Sequence, residues 1–233
     1  MKRLDVFVLI IVFCSILSGC ATQKGWHYNV EQKKDRKPIL NKTVAVPVFK
    51  DARLDKNNNS FAMYLIPLFP FGWADYTIPE GGGAKLNSIP IWLFKPNEDL
   101  AKAAAEELEA SSLFKEVFFT QRASEGELIF IGTINSTNYS GTVISYGLSV
   151  YGPLLWFFGL PCGSIHNQLG VEFKLTDRNN AVLWQNSYTR KYDKSPVWLY
   201  SLPSDFQYDS MYKEIMLKVV ADLENKLKKM NNN

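Results

Sequence analysis

Histidine and cysteine are scarce, at 2 and 3 among 233 residues, and that scarcity removes several chemistries at once. A transition-metal site needs clustered Cys, His or carboxylate ligands, and no such cluster occurs. A hydrolase triad needs a fixed imidazole beside a nucleophile and an acid. His27 lies in a polar N-terminal stretch, and His166 lies beside a turn. Ser164 is close to His166, but neighbouring residues on extended backbone point to opposite sides, so no dyad is expected there. Gly81-Gly82-Gly83-Ala84-Lys85 lacks the GxxxxGKS/T spacing and a preceding strand, and reads as a loop rather than a phosphate cradle. Glu106 and Glu107 fall on the polar side of a helix, as solvated charge does. The chain therefore reads as a non-enzyme with no metal and no cofactor. A net charge of +3 gives no electrostatic footprint for nucleic acid.

The longest apolar run is too short for the ~20 residues of a spanning helix. It extends from Val6 to Leu17, follows Lys2-Arg3, and has the length of a secretory signal core. Leu17-Ser18-Gly19-Cys20 comes next and resembles the lipobox of bacterial lipoproteins. That resemblance implies cleavage after Gly19, a diacylglycerol on the Cys20 sulfur and an acyl group, typically palmitate, on its amino group. Several acyl chains together anchor a protein stably. Cys14 serves as an internal control, because bulky Phe13 precedes it. Ala21 in place of Asp implies the outer membrane, with the domain facing the periplasm. With Cys14 removed and Cys20 acylated, Cys162 has no intramolecular partner, and it reads as a small buried hydrophobe.

Residues 1–19 thus read as signal peptide, 20–42 as a polar, lysine-rich flexible tether, and 43–230 as a single α/β domain. Thr43–Phe49 is a β-branched strand in which Pro47 favours an edge or a bulge. The span 50–96 is long and irregular, broken by Pro67, Pro70, Pro79 and Pro90. Asn97 caps a helix running to Ser111 whose Leu100, Ala104 and Leu108 share a face. Leu113–Gln121 is a strand that completes a βαβ unit. Leu128–Ile134 is a strand extendable to Tyr139, Thr142–Val150 is extended, and 151–165 is an aromatic loop insertion. Leu169–Leu175 pairs with Val182–Tyr192 as a hairpin. Ser210–Met230 is the last helix. The fold class is α/β, a mixed sheet of about five strands with two main helices.

VAVPVFKDAR, the helix-plus-strand EDLAKAAAEELEASSLFKEVFF and ELIFIGTI together resemble a pattern in periplasmic lipoproteins. The group includes the curli-secretion-channel lipoprotein, activator lipoproteins of penicillin-binding proteins and the N-terminal domain of TolB. The resemblance covers about residues 43–50 and 97–135, and implies the fold and an envelope setting. YGLSVYGPLLWFFGLPCG resembles an uncharacterised lipoprotein family and departs from the named members, so no specific activity is carried over.

The most unusual feature is another absence. Residues 128–171 hold 44 consecutive positions without Asp, Glu, Lys or Arg, where about nine charges would be typical. Three explanations stand: central strands with a buried connection; an exposed aromatic tip at Leu154, Leu155, Trp156, Phe157 and Phe158 that docks on a partner or dips into the membrane; or a hairpin of a multi-subunit pore. The expected function is that of a non-catalytic accessory or assembly factor of the envelope, touching another envelope protein or itself. The contact surface is Trp156–Phe158, joined by Phe69–Trp73 and Ile91–Phe94. An oligomeric secretion-channel subunit and a carrier of apolar ligand or lipid are the alternatives.

Overall fold

The computed structural model describes residues 24–30, 35–80, 92–122, 125–201 and 207–231. The signal peptide, the Leu17–Cys20 lipobox, Gly81–Lys85 and Ile91 lie outside the described residues. Within them run β1 (Lys24–Gly25), β2 (Leu40–Pro47), β3 (Lys50–Asp51), β4 (Asn58–Asn59), β5 (Phe71–Tyr76) and β6 (Trp92–Leu93). Then come α1 (Pro96–Ser111), β7 (Phe114–Thr120), β8 (Leu128–Ile144), α2 (Gly152–Phe157), β9 (Gly163–Asp177), β10 (Val182–Val197) and α3 (Tyr208–Asn231). Eight strands form one mixed sheet with the order β10-β9-β8-β2-β7, to which β3 and β5 add on β8, and β4 on β5. β1 and β6 make a separate parallel pair.

The βαβ unit is present: β2 and β7 are parallel neighbours joined through α1. Pro47 is tolerated because it is the last residue of β2, beyond the two residues, Val44 and Ala45, that pair with β8. β2 is not an edge strand, so the edge placement is corrected. α1 is capped differently from the Asn97 expectation. Lys95 is the N-cap and Pro96 takes the first turn, where a missing N–H costs nothing. The Asp99 carboxylate accepts the Lys95 N–H at 2.7 Å, like one half of a capping box but from one residue further into the helix.

β8 and β9 are far longer than the sequence pattern suggests, because a bulge resets their alternation. Phe130, Gly132 and Ile134 face the helices; the register then shifts at Asn135, and Thr137, Tyr139 and Gly141 continue on that face. Gly132 is needed there, since a Cβ would lie 2.6 Å from the Phe49 ring that crosses it. Phe49 meets Phe173 edge-on at 5.8 Å, and α1 and α3 close over these rings with Leu100, Leu108, Tyr212, Met216 and Leu223. The span 50–96 is not wholly irregular: it contributes β5, which pairs antiparallel with the distal half of β8.

Residues 24–30 and 35–42 are packed on the domain, which corrects their reading as free tether. Trp26 stacks on Phe94 at 4.7 Å, and Tyr28 lies against Tyr212 at 5.8 Å. Glu107 is not solvated charge. It is 4% exposed and accepts from Lys213 Nζ at 2.7 Å and from the Tyr28 hydroxyl at 3.1 Å. Burial, then the Glu107 charge, hold the Tyr28 hydroxyl protonated far above its ordinary range. Arg36 spans α1 and α3 by donating to the Ser111 carbonyl at 3.2 Å and to Glu224 at 2.8 Å.

Arg53 is a second buried lock. Its side chain is 3% exposed and is paired with Asp51 at 2.7 Å and Glu80 at 2.5 Å. It also donates to Thr137 Oγ1, whose own hydroxyl donates to the Thr77 carbonyl at 3.1 Å. Those carboxylates keep the guanidinium charged against the burial that opposes it, and its hydrogen bonds hold the Asp51 carboxyl below the usual range. Removing one member of such a set leaves the others unpaired, so Arg53→Ala is expected to lower unfolding free energy by about 3 kcal/mol in chemical denaturation. The hydrogen bonds from Arg36 and Lys228 hold Glu224 at about 2, below its ordinary 4.5. Its contribution is full above pH 4.5 and is lost as pH falls toward 2. Acid titration of unfolding should therefore be flatter in Glu224→Gln than in the unsubstituted chain.

Candidate functional site

The helices stop before the strands do. The Tyr208 hydroxyl, at the first residue of α3, donates to the Thr137 carbonyl at 2.7 Å, only just past the middle of β8. From there β8 continues with β5 on one side and β9 on the other. Three segments without a charged residue meet at this end: 57–74, the part of 128–171 that follows Tyr139, and 195–201. Backbone bonds knit them together. Leu68 N–H donates to Gly147 O at 2.8 Å, Ser145 N–H to Pro70 O at 2.7 Å, and Cys162 N–H to Val197 O at 2.8 Å.

On this frame the expected contact residues separate into two kinds. Leu154, Phe157 and Phe158 project from α2 and the turn after it, with Phe158 83% exposed. Leu155 and Trp156 are half-buried, and the Trp156 indole donates to the Ile144 carbonyl at 2.9 Å. Trp156 thus fixes the tip and is not its outermost contact. Phe69, Phe71 and Trp73 cluster beside it with ring separations of 5.6 to 6.4 Å. Phe94 does not join them. It is buried between Trp26 and Tyr208, so Phe94 is corrected out of the expected surface, while Ile91 lies outside the described residues.

The sequence reading missed Leu68, at 90% exposure, together with Tyr151 and Tyr200. A signal was available in the charge-free runs 57–74 and 195–201, which are shorter than 128–171 but end up beside it. Leu68, Tyr146 and Ser149 all hold positive φ, at 69°, 57° and 54°. Left-handed backbone in non-glycine residues costs free energy and persists where surrounding contacts impose it. Here it aims an uncovered leucine outward.

The strands of 128–171 lie inside the sheet, while the connection between them is largely exposed; buried strands and an exposed tip coexist. At the base of the tip lies an open cleft of about 330 Å³, lined by residues including Lys56, Asp75, Tyr139, His166, Lys191 and Asp193. His166 Nδ1 sits 2.9 Å from Asp193. Ser164 and His166, two apart on β9, share a face, which corrects the opposite-sides expectation. They still form no dyad: the Ser164 hydroxyl is bonded to Thr142 Oγ1 at 2.6 Å. Cys162 is 6% exposed and its thiol donates to the Val197 carbonyl at 3.3 Å, with burial pushing its pKa up. His27 is exposed. Among the described residues no His, Cys, Asp or Glu cluster is arranged for a metal, and no helix is long and apolar enough to cross a membrane.

No family model matches the chain, and no curated protein matches it. Among solved structures, a Xanthomonas campestris protein of family DUF330 superposes with a TM-score of 0.51 at 11% identity, over 91% of this chain and 99% of that one. A second structure, described only as an uncharacterized protein, covers 90% of this chain at a TM-score of 0.32 and 8% identity. The chain is thus similar in fold to an uncharacterised bacterial protein.

Proposed function

We propose that this chain is a non-catalytic lipoprotein of the bacterial outer membrane, acylated at Cys20 and facing the periplasm, that acts as an accessory or assembly factor through contacts in the cell envelope. The observation that carries the reading is the polarity of the molecule. Among the described residues, charged side chains extend along the sheet as far as the level of Ser140 and Gly141, whereas the end beyond them is uncharged, aromatic and exposed. Monomeric soluble proteins rarely leave so contiguous an apolar surface uncovered unless something docks there. The aromatic side chains point outward, which favours a contact surface over a carrier cavity. The likeness of VAVPVFKDAR and ELIFIGTI to the curli-channel, penicillin-binding-protein activator and TolB group supports the envelope setting.

The test is mass spectrometry and light scattering of the natively expressed full-length protein extracted in detergent. Diacylglycerol and an N-acyl group on Cys20 are expected, with a monomer or a small complex containing one reproducible envelope protein. Cys20→Ala should leave the membrane fraction and lose that partner. A large homogeneous ring would replace this reading with the channel subunit, and stoichiometric co-purified lipid with the carrier.

A further inference from the structure

We infer that the exposed tip is a second membrane element, inserted into the same leaflet that holds the acyl chains of Cys20; this rests on the lipoprotein reading above. The first argument is the direction of the chain. Tyr28 packs against Tyr212, which meets Phe173, the partner of Gly132 on β8. Trp26 packs against Phe94, and Phe94 against Tyr208, whose hydroxyl reaches Thr137. The Trp26 and Tyr28 rings stack 6.3 Å apart, with Trp26 on the Tyr208 side, so the chain going back from Tyr28 to Trp26 heads toward the tip.

The reach agrees with that direction. From Thr137 to Ser140 the strand rises about 10 Å, and the chain between Trp26 and Cys20 spans up to about 21 Å when extended. The lipidated sulfur can thus reach the level of Ser140, below the aromatic tip, so that its acyl chains and the tip enter one flat surface.

Charge marks the waterline. The last charged groups before the tip are Lys56, Asp75, Lys191, Asp193 and Lys194, which sit level with Ser140 and His166 or just beyond it. Above Ser140 the strand continues for about 13 Å to Ile144, and beyond it stand Leu68, Val150, Leu154, Phe157 and Phe158. Burial of the residues beyond Ile144 to about 5–10 Å sets the stretch from Ser140 to Ile144 in the headgroup layer. In such a place backbone groups must find partners internally. They do so through Leu68 to Gly147, Ser145 and Tyr146 to Pro70, Ile144 to Cys162, and the Trp156 indole to Ile144. Tyr151 and Tyr200, 67% and 77% exposed, suit the headgroup layer.

The experiment attaches an environment-sensitive dye to Phe158→Cys, and separately to Asn179→Cys at the opposite β9–β10 turn, in the full lipidated chain. Buried Cys162 and acylated Cys20 leave the introduced thiol as the reactive one. Each protein is reconstituted in phosphatidylethanolamine/phosphatidylglycerol vesicles with or without a lipid carrying a shallow acyl-chain quencher. The Phe158 site is expected to lose at least half its emission to the quencher, and the Asn179 site to lose none. Mass spectrometry of the same samples reports acylation of Cys20. With Cys20 acylated, a Phe158 dye that stays in water overturns the insertion and leaves the lipoprotein reading standing. A dye that is shielded but not quenched by lipid overturns it in favour of a second copy or a protein partner. An unacylated Cys20 overturns both readings together.

Discussion

A β-strand that outruns its helices is the constraint from which the rest of this molecule follows. β8 and β9 pair along nearly their whole lengths, and β10 follows β9. α1 and α3 can cover only the half of that ribbon where Phe130, Ile134, Val171 and Phe173 build the core. Beyond Thr137 the sheet must be completed by something else. β5 and the turns around it supply that completion with backbone hydrogen bonds and aromatic rings rather than with a second helical layer. The result is one well-covered half and one half that leaves apolar groups facing out.

Two polar locks brace the fold. Arg53 ties the start of the 51–80 excursion to Thr137 at the bulge, where the helix-covered half ends. Glu107, Lys213 and Tyr28 tie the N-terminal segment to both helices. Each is a buried charge with its partners in place, an arrangement whose worth lies in fixing one geometry more than in adding net stability. The consequence is that the exposed tip stands on a braced base, and Trp26 and Tyr28 are held against the domain.

Much of the fold was legible in the residues. The alternation of Leu169, Val171, Phe173 and Leu175 marked β9, the stripe Met216, Val219, Val220, Leu223 and Leu227 marked α3, and the βαβ unit stood out around α1. Strand lengths were not legible, because the bulge at Asn135 breaks the period-two pattern that strand reading relies on. Trp26 and Tyr28 sat in a lysine-rich stretch whose composition suggests free chain, and nothing local reveals that α1 and α3 offer them Phe94 and Tyr212. Of the candidate surface, the projecting residues at Leu154, Phe157 and Phe158 were legible from the charge gap. The inward turn of Trp156 and the departure of Phe94 were not.

The sequence by itself determined what is local or compositional: the lipobox pattern, the helix faces, the turn chemistry, and a stretch of chain without charge. Those depend on residue type and spacing along the chain. Only the tertiary structure decided which uncharged segments stand together. Residues 57–74, 140–165 and 195–201 become one surface because β5 pairs with β8 and β10 with β9, and strand pairing between distant segments is a property of register that no single segment encodes.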